Sequence, residues 1–216
     1  MKTLSFLVTL GAFVLSSCLG VSADITIKAD GSGKIYLEYR VSQALESLGR
    51  LDGNGSRPAV PAGKIDFERT VARIPGLRLS GYSSKDIRNA SGGTDLVTNA
   101  TLDFTGTDAL LAFLDSSGSR ATLNQDNTGS LLRLIILEPS KSISDPDLLS
   151  LFREMSKGYD FNISLSLPRN ANARTIPSVP AAKLVTNGKK VSFSIGMGEL
   201  LSLTDGLALE IGYDGQ

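Results

Sequence analysis

The chain has 216 residues, 22 basic and 22 acidic side chains, a single cysteine, and neither histidine nor tryptophan. So even a charge balance supplies no global field to gather nucleic acid or to spread the chain on an anionic membrane. With no histidine there is no imidazole base, no Ser-His-Asp triad and no His-ligated metal, and one cysteine excludes thiolate clusters and redox pairs.

The first stretch with a clear physical meaning is the amino terminus. Lys2 gives a short positive end, Leu4 to Leu15 is an apolar run, and small residues follow. That order describes a secretory signal peptide, and the run is too short for a transmembrane helix, which needs roughly 20 apolar residues. Two processing points compete. Leu15-Ser16-Ser17-Cys18 looks like a bacterial lipobox, in which cleavage precedes Cys18 and the thiol takes a diacylglyceryl group. Val21-Ser22-Ala23, ahead of Asp24, is a small-x-small site for ordinary signal peptidase. The lipobox reading makes residues 1–17 the signal peptide, leaves 199 mature residues with a formal charge of −1, and makes Cys18 the lipid-attachment residue. The expected location is the cell envelope, membrane-anchored rather than spanning, facing the periplasm or the surface, with each buried acyl CH₂ adding about 0.8 kcal/mol of membrane affinity.

Downstream, Asp24 to Lys28 alternates, Asp30-Gly31-Ser32-Gly33 turns, and Lys34 to Val41 continues in β-formers, which predicts a hairpin. Ser42 caps a predicted short helix through Leu51, and Asp52 to Gly63 is a loop. Ile65, Phe67, Val71 and Ile74 predict a helix from about Ile65 to Arg73, stopped by Pro75-Gly76. Leu77–Asn89 and Leu96–Thr105 form a long hairpin around residues 90–93, with Leu77, Leu79, Leu96, Leu102 and Phe104 inward. Thr107 or Asp108 caps a helix over Ala109–Leu114, and Arg120–Asn124 pairs with Ser130–Leu137. Ser144-Asp145-Pro146-Asp147 opens a helix whose apolar stripe is Leu148, Leu149, Leu151, Phe152 and Met155, with Lys157-Gly158 at the exit. Tyr159–Leu167 alternates strictly, with Phe161, Ile163, Leu165 and Leu167 inward. Pro168–Pro180 is expected to be an irregular crossing. Asn187-Gly188 signals a type I′ hairpin ahead of Val191, Phe193 and Ile195, and a helical turn near Gly198–Leu203 leads to a last strand, Leu207–Tyr213.

Paired short strands separated by short helices describe an α+β fold. The expectation is an antiparallel sheet built from hairpins, with three or four short helices packed mainly on one face. No composition break and no fixed-period repeat demands two domains, so residues 18–216 are taken as a single envelope domain, with 159–216 as the candidate for a C-terminal lobe.

Three stretches resemble the LppM-type exported domains of bacterial lipoproteins. The signal peptide with its cysteine is followed at once by Asp24-Ile25-Thr26-Ile27, a glycine-containing turn and a second strand. Leu165-Ser166-Leu167-Pro168 ends a strand before an Asn-rich crossing. Asn187-Gly188-Lys189-Lys190-Val191-Ser192-Phe193 then runs into Gly198-Glu199-Leu200-Leu201 and a closing strand, similar to that family's strand followed by a polar residue and Leu-Leu. Phe193 stands where the family usually has an aromatic, often Trp, and from Ser42 to Lys157 the likeness lies in the order of elements. The resemblance implies an α+β envelope protein without catalytic residues that binds lipid or another apolar molecule.

The remaining motifs carry little chemistry. No lysine has serine three positions before it, and no Gly-x-Ser-x-Gly elbow occurs. Gly31-Ser32-Gly33-Lys34 lacks the earlier glycine and the hydroxyl of a phosphate loop. Asn124, Asp126, Thr128 and Gly129 start like a calcium loop, but its twelfth position is Ile135 rather than glutamate. Glu68, Asp103, Glu138 and Glu154 are expected to be solvated surface carboxylates. No cofactor, metal or nucleic-acid partner is expected, and no enzyme activity. The two helical stripes have two readings: core packing, or walls of an apolar-ligand pocket formed by Leu110, Leu111, Phe113, Leu114, Leu148, Leu149, Phe152 and Met155. The function expected is therefore a non-catalytic, lipid-anchored envelope module for an apolar ligand or a protein partner, the alternative being a structural or assembly lipoprotein with a packed core. Radiolabelled palmitate should enter the wild-type chain and be absent from Cys18→Ala; label that survives the substitution refutes the anchor.

Overall fold

The structure, a computed structural model, describes residues 19–42, 63–89, 92–115, 118–126, 129–139 and 146–214. Eleven strands are described: β1 (Leu19–Ile27), β2 (Gly33–Ser42), β3 (Leu77–Arg88), β4 (Thr94–Phe104), β5 (Ala121–Gln125), β6 (Gly129–Leu137), β7 (Asp160–Ser166), β8 (Ala171–Ile176), β9 (Lys183–Asn187), β10 (Lys190–Gly196) and β11 (Leu207–Asp214). Four helices join them: α1 (Lys64–Ala72), α2 (Thr107–Leu114), α3 (Pro146–Met155) and α4 (Met197–Leu201). One sheet has the order β3-β4-β2-β1-β7-β10-β9 and the other β5-β6-β11-β8.

Alternation along each strand becomes rows across the larger sheet, because paired residues share a face. Leu102, Ile35, Ile25, Leu165 and Val191 are successive partners, and each is at most 1% exposed. The next row on that face is Ala100, Leu37, Ala23, Ile163 and Phe193. The opposite face carries Asn99, Glu38, Ser22, Asn162 and Ser194 in one row and Thr101, Tyr36, Asp24, Ser164 and Ser192 in another. The first face is the core side; Leu132, Leu134, Leu209 and Ile211 of the smaller sheet belong to the same buried cluster. On the smaller sheet's other face Glu210, only 7% exposed, lies in register between Arg174 and Arg133. Arg174 Nε and Nη2 donate to Glu210 Oε2 at 2.9 and 2.7 Å, and Arg133 Nη1 lies 3.6 Å from Oε1.

The architecture is mostly β with four short helices, and it corrects several expectations. There are two sheets rather than one, and β1 and β7 run parallel in an otherwise antiparallel larger sheet. The helices form no common layer: α1 packs by β3, α2 against β4 and β5, and α3 with α4. Within the candidate lobe, β7, β10 and β9 complete one sheet while β8 and β11 complete the other. The expected irregular crossing at 168–180 contains β8, whose small inward Ala171 and Ala173 give little hydrophobic signal. Strand β1 starts at Leu19, five residues ahead of Asp24. The β9–β10 loop has its only positive φ at Gly188, the first loop residue, which makes it type II′ rather than I′. The predicted helix from Ser42 to Leu51 and the loop after it fall at 43–62, outside the described residues, and Ser42 itself ends β2.

At the β1–β2 tip, Gly33 is required by close approach rather than by its φ. A β-carbon there would fall onto the Thr26 carbonyl oxygen and lie 2.5 Å from the Phe104 ring. Helix α1 begins at Gly63, whose N–H reaches Asp66 Oδ2 at 3.4 Å, and it buries Phe67 completely. The Phe67 ring stands 6.1 Å from Tyr39 and 5.9 Å from Tyr82, which fastens the helix to β2 and β3. Phe67→Ala should lower stability by about 3–5 kcal/mol in urea unfolding followed by circular dichroism. A loss below about 1 kcal/mol would mean that α1 is not held by this ring.

Candidate functional site

An open groove of about 580 Å³ lies where α1 runs along β3. Helix α1 contributes Lys64, Glu68, Val71 and Ala72; β3 contributes Leu77 through Tyr82. Among the described residues β3 is an edge strand, with β4 as its single partner in the sheet order. Its pairing with β4 shifts between Leu79 and Gly81, so Ser80 is the extra residue of a bulge. The bulge puts Tyr82 on the same face as Leu79 despite their odd spacing, so both reach α1's side of the sheet. Leu79, Val71 and Tyr82 are half-buried and packed against the core, which makes the groove's apolar floor part of that core's surface. Burial pushes the Tyr39 hydroxyl above its usual range.

Electrostatics at the groove are local and paired. Lys64 Nζ lies 3.6 Å from Glu68 Oε1 one helical turn away. Arg78 Nη2 donates to Asp103 Oδ2 at 2.7 Å, and Lys34 Nζ is 3.0 Å from the other oxygen, a three-strand ladder in register on the solvent face. The Arg78 hydrogen bond, with that of Lys34, holds the Asp103 carboxyl below the usual carboxylate range.

A smaller polar cleft of about 150 Å³ lies among Gly20, Val21, Ser22, Glu38, Arg40, Gly158, Tyr159, Asp160 and Asn162. Beneath it Asp95 is buried at 1% exposure. The Tyr159 hydroxyl and Asn89 Nδ2 donate to Asp95 Oδ1 at 2.8 and 2.7 Å, and Arg40 Nε lies 3.5 Å from Oδ2. This carboxylate joins β4, β2, the end of β3 and the entry to β7.

The residues singled out from sequence are placed differently from one another. Leu110 is 1% exposed in the core, while Leu111, Phe113 and Leu114 are half-buried against it. Met155 is half-buried at the end of α3; the side chains of Leu148, Leu149 and Phe152, and Cys18, lie outside the described residues. The two helices have different main partners, and among the described side chains Leu110, Leu111, Phe113, Leu114 and Met155 line neither cavity. The carboxylates are each held by a cation: Glu68 by Lys64, Asp103 by Arg78 and Lys34, Glu138 by Arg120 at 2.8 Å, and Glu154 by Lys157 at 2.6 Å. Asp126 accepts the Gly129 N–H at 3.0 Å at the β5–β6 tip, the work of a turn residue. Among the described residues no group of three His, Cys, Asp or Glu side chains could hold a metal, and no helix is long and apolar enough to cross a membrane. The groove itself escaped the sequence reading; Gly81 inside a strand pattern was its one trace.

Because folding lowers the Asp103 pKa, the pair's stabilisation is present above the unfolded value near pH 4 and is lost as pH falls through the lower folded value. Urea midpoints measured from pH 7 to pH 2 should therefore fall less steeply for Asp103→Asn than for the wild type; identical slopes would remove the ladder's role.

No family model matches the chain, and no curated protein matches its sequence. Among solved structures, the chain is similar to the NMR structure of the folded domain of Mycobacterium tuberculosis LppM, the kind of domain that its sequence resembles. The likeness covers 92% of this chain and 91% of that one, at 15% identity and a TM-score of 0.46.

Proposed function

We propose that the chain is a lipid-anchored envelope protein, without catalytic activity of its own, that binds an amphiphilic, lipid-like molecule in the α1–β3 groove. The observation that carries this reading is the groove itself. Its volume, about 580 Å³, lies within the range of small-molecule sites, and it combines an apolar floor with an ionic rim. An acyl or other apolar chain would lie over Val71, Leu79 and Tyr82, and its polar end would meet the Lys64–Glu68 pair on the helix. The lipobox at Cys18 supports the anchor, and the lack of histidine supports a binding role rather than catalysis.

A second reading, a structural or assembly lipoprotein, is favoured by one observation. Leu110, a wall of the pocket expected from sequence, is fully packed in the core. In that reading the protein acts through its surface, with the outer edge of β3 as the strand open to a protein partner.

Native mass spectrometry of the full chain, purified from membranes in mild detergent, separates the two. The expected result is a co-purifying mass in the lipid range that is lost on Leu79→Asp and kept on Phe113→Asp, both variants being folded by circular dichroism. Loss on Phe113→Asp alone would move the site to α2. A clean apo mass, unchanged after incubation with envelope lipids, would sink the ligand reading in favour of the packed core.

A further inference from the structure

The two competing processing points stand in different relation to the fold. Val21-Ser22-Ala23 is not a spacer before the domain but the middle of β1, the fourth of seven strands in the larger sheet. Leu19 to Ala23 are matched by Val41, Arg40, Tyr39, Glu38 and Leu37 of β2. On the other side Val21, Ser22 and Ala23 pair with Phe161, Asn162 and Ile163 of β7, and Asn162 Nδ2 donates to Ser22 Oγ at 3.2 Å. Ala23 is part of the buried core, and Gly20 is buried with the Arg40 Cβ 3.4 Å and the Tyr159 ring 3.5 Å from where its own β-carbon would be. Cleavage before Asp24 would remove five of the nine residue pairs between β1 and β2 and three of the six between β1 and β7. It would strip hydrogen-bond partners from backbone on both flanking strands in the middle of a sheet.

We infer that Leu19–Ala23 stays in the mature protein as the first half of its central strand, so that the small-x-small stretch is a packing feature and not a processing site. Ala23 sits in the inward row between Leu37 and Ile163, and Ser22 accepts from Asn162 on the other face. The inference goes beyond the proposed binding role and does not depend on the groove. If Cys18 is the acylated terminus, it precedes the first strand residue directly, and no tether separates lipid from fold. At about 3.3 Å per strand residue, the rim formed by Leu19, Val41 and the polar cleft around Arg40 and Asp160 would then lie against the bilayer surface.

Intact mass and amino-terminal peptide analysis of the product made from the full-length chain, in a bacterial host that matures lipoproteins, test this directly. The expected product contains Leu19–Ala23. A folded, protease-resistant product that begins at Asp24 overturns the inference. A product that retains Leu19–Ala23 but carries no acyl mass on Cys18 upholds it while removing the anchor, so the two readings fail separately. As a second measurement, Gly20→Pro, which deletes a donor from the central strand, should shorten the half-life of the mature product under native proteolysis by about tenfold or more, while Gly20→Ala stays near wild type. A Gly20→Pro product as resistant as the wild type would contradict a retained strand.

Discussion

The larger sheet depends on one junction, the parallel ladder between β1 and β7. On one side of it, β3, β4, β2 and β1 come from residues 19–104; on the other, β7, β10 and β9 come from residues 160–196. Each half is assembled from antiparallel neighbours, but the halves meet where Ser22 and Asn162, 140 residues apart, lie side by side. No tight turn can make a parallel pair, so this contact must offset the closure of a long loop. It does so through continuity: Ile25 against Leu165 and Ala23 against Ile163 carry the apolar rows across the junction without a gap. The smaller sheet inherits its place from this, since β8 and β11 follow β7 in the chain and lay Leu209 and Ile211 on the same core.

Two faces with opposite chemistry follow from that arrangement. Serine, threonine, asparagine and paired charges hold the outward face of the larger sheet, with the Arg78–Asp103–Lys34 ladder near one end and Asp95, buried under Tyr159 and Arg40, near the other. The inward face is filled by the smaller sheet and by Phe67 and Leu110. At the margin α1 covers β3 incompletely and leaves a groove whose floor includes Val71, Leu79 and Tyr82, which pack against the core. An edge strand with a bulge, several charges and a helix beside it is guarded against indiscriminate pairing and still accessible to a ligand.

Much of the secondary structure was legible because its causes are local. Alternation located β7 with its inward Ile163 and Leu165, and the buried Leu167 just after it; Pro146 and Gly158 bracketed α3; Pro75-Gly76 closed α1. The failures share a nonlocal cause. Strand β8 pairs with β11, which lies more than thirty residues later, and its inward Ala171 and Ala173 say little until Tyr213 and Ile211 are opposite them. From sequence Leu110 and its neighbours could be core or cavity, since both use the same side chains; in the fold Leu110 is buried and its neighbours are half-buried against the core. The groove needed α1, β3 and the bulge at Ser80 together, and a single glycine was all that the sequence showed of it.

Composition and short-range pattern were thus sufficient for the exclusion of histidine and thiolate chemistry, the hairpins and most helix ends. Those depend on interactions within a few residues, which the order of side chains expresses directly. Tertiary structure decided the split into two sheets, the parallel junction, the strand identity of Leu19–Ala23 and the position of the groove. Each of these depends on which strand finally lies beside which, and that is set by burying whole apolar rows at once rather than by any one segment's preference.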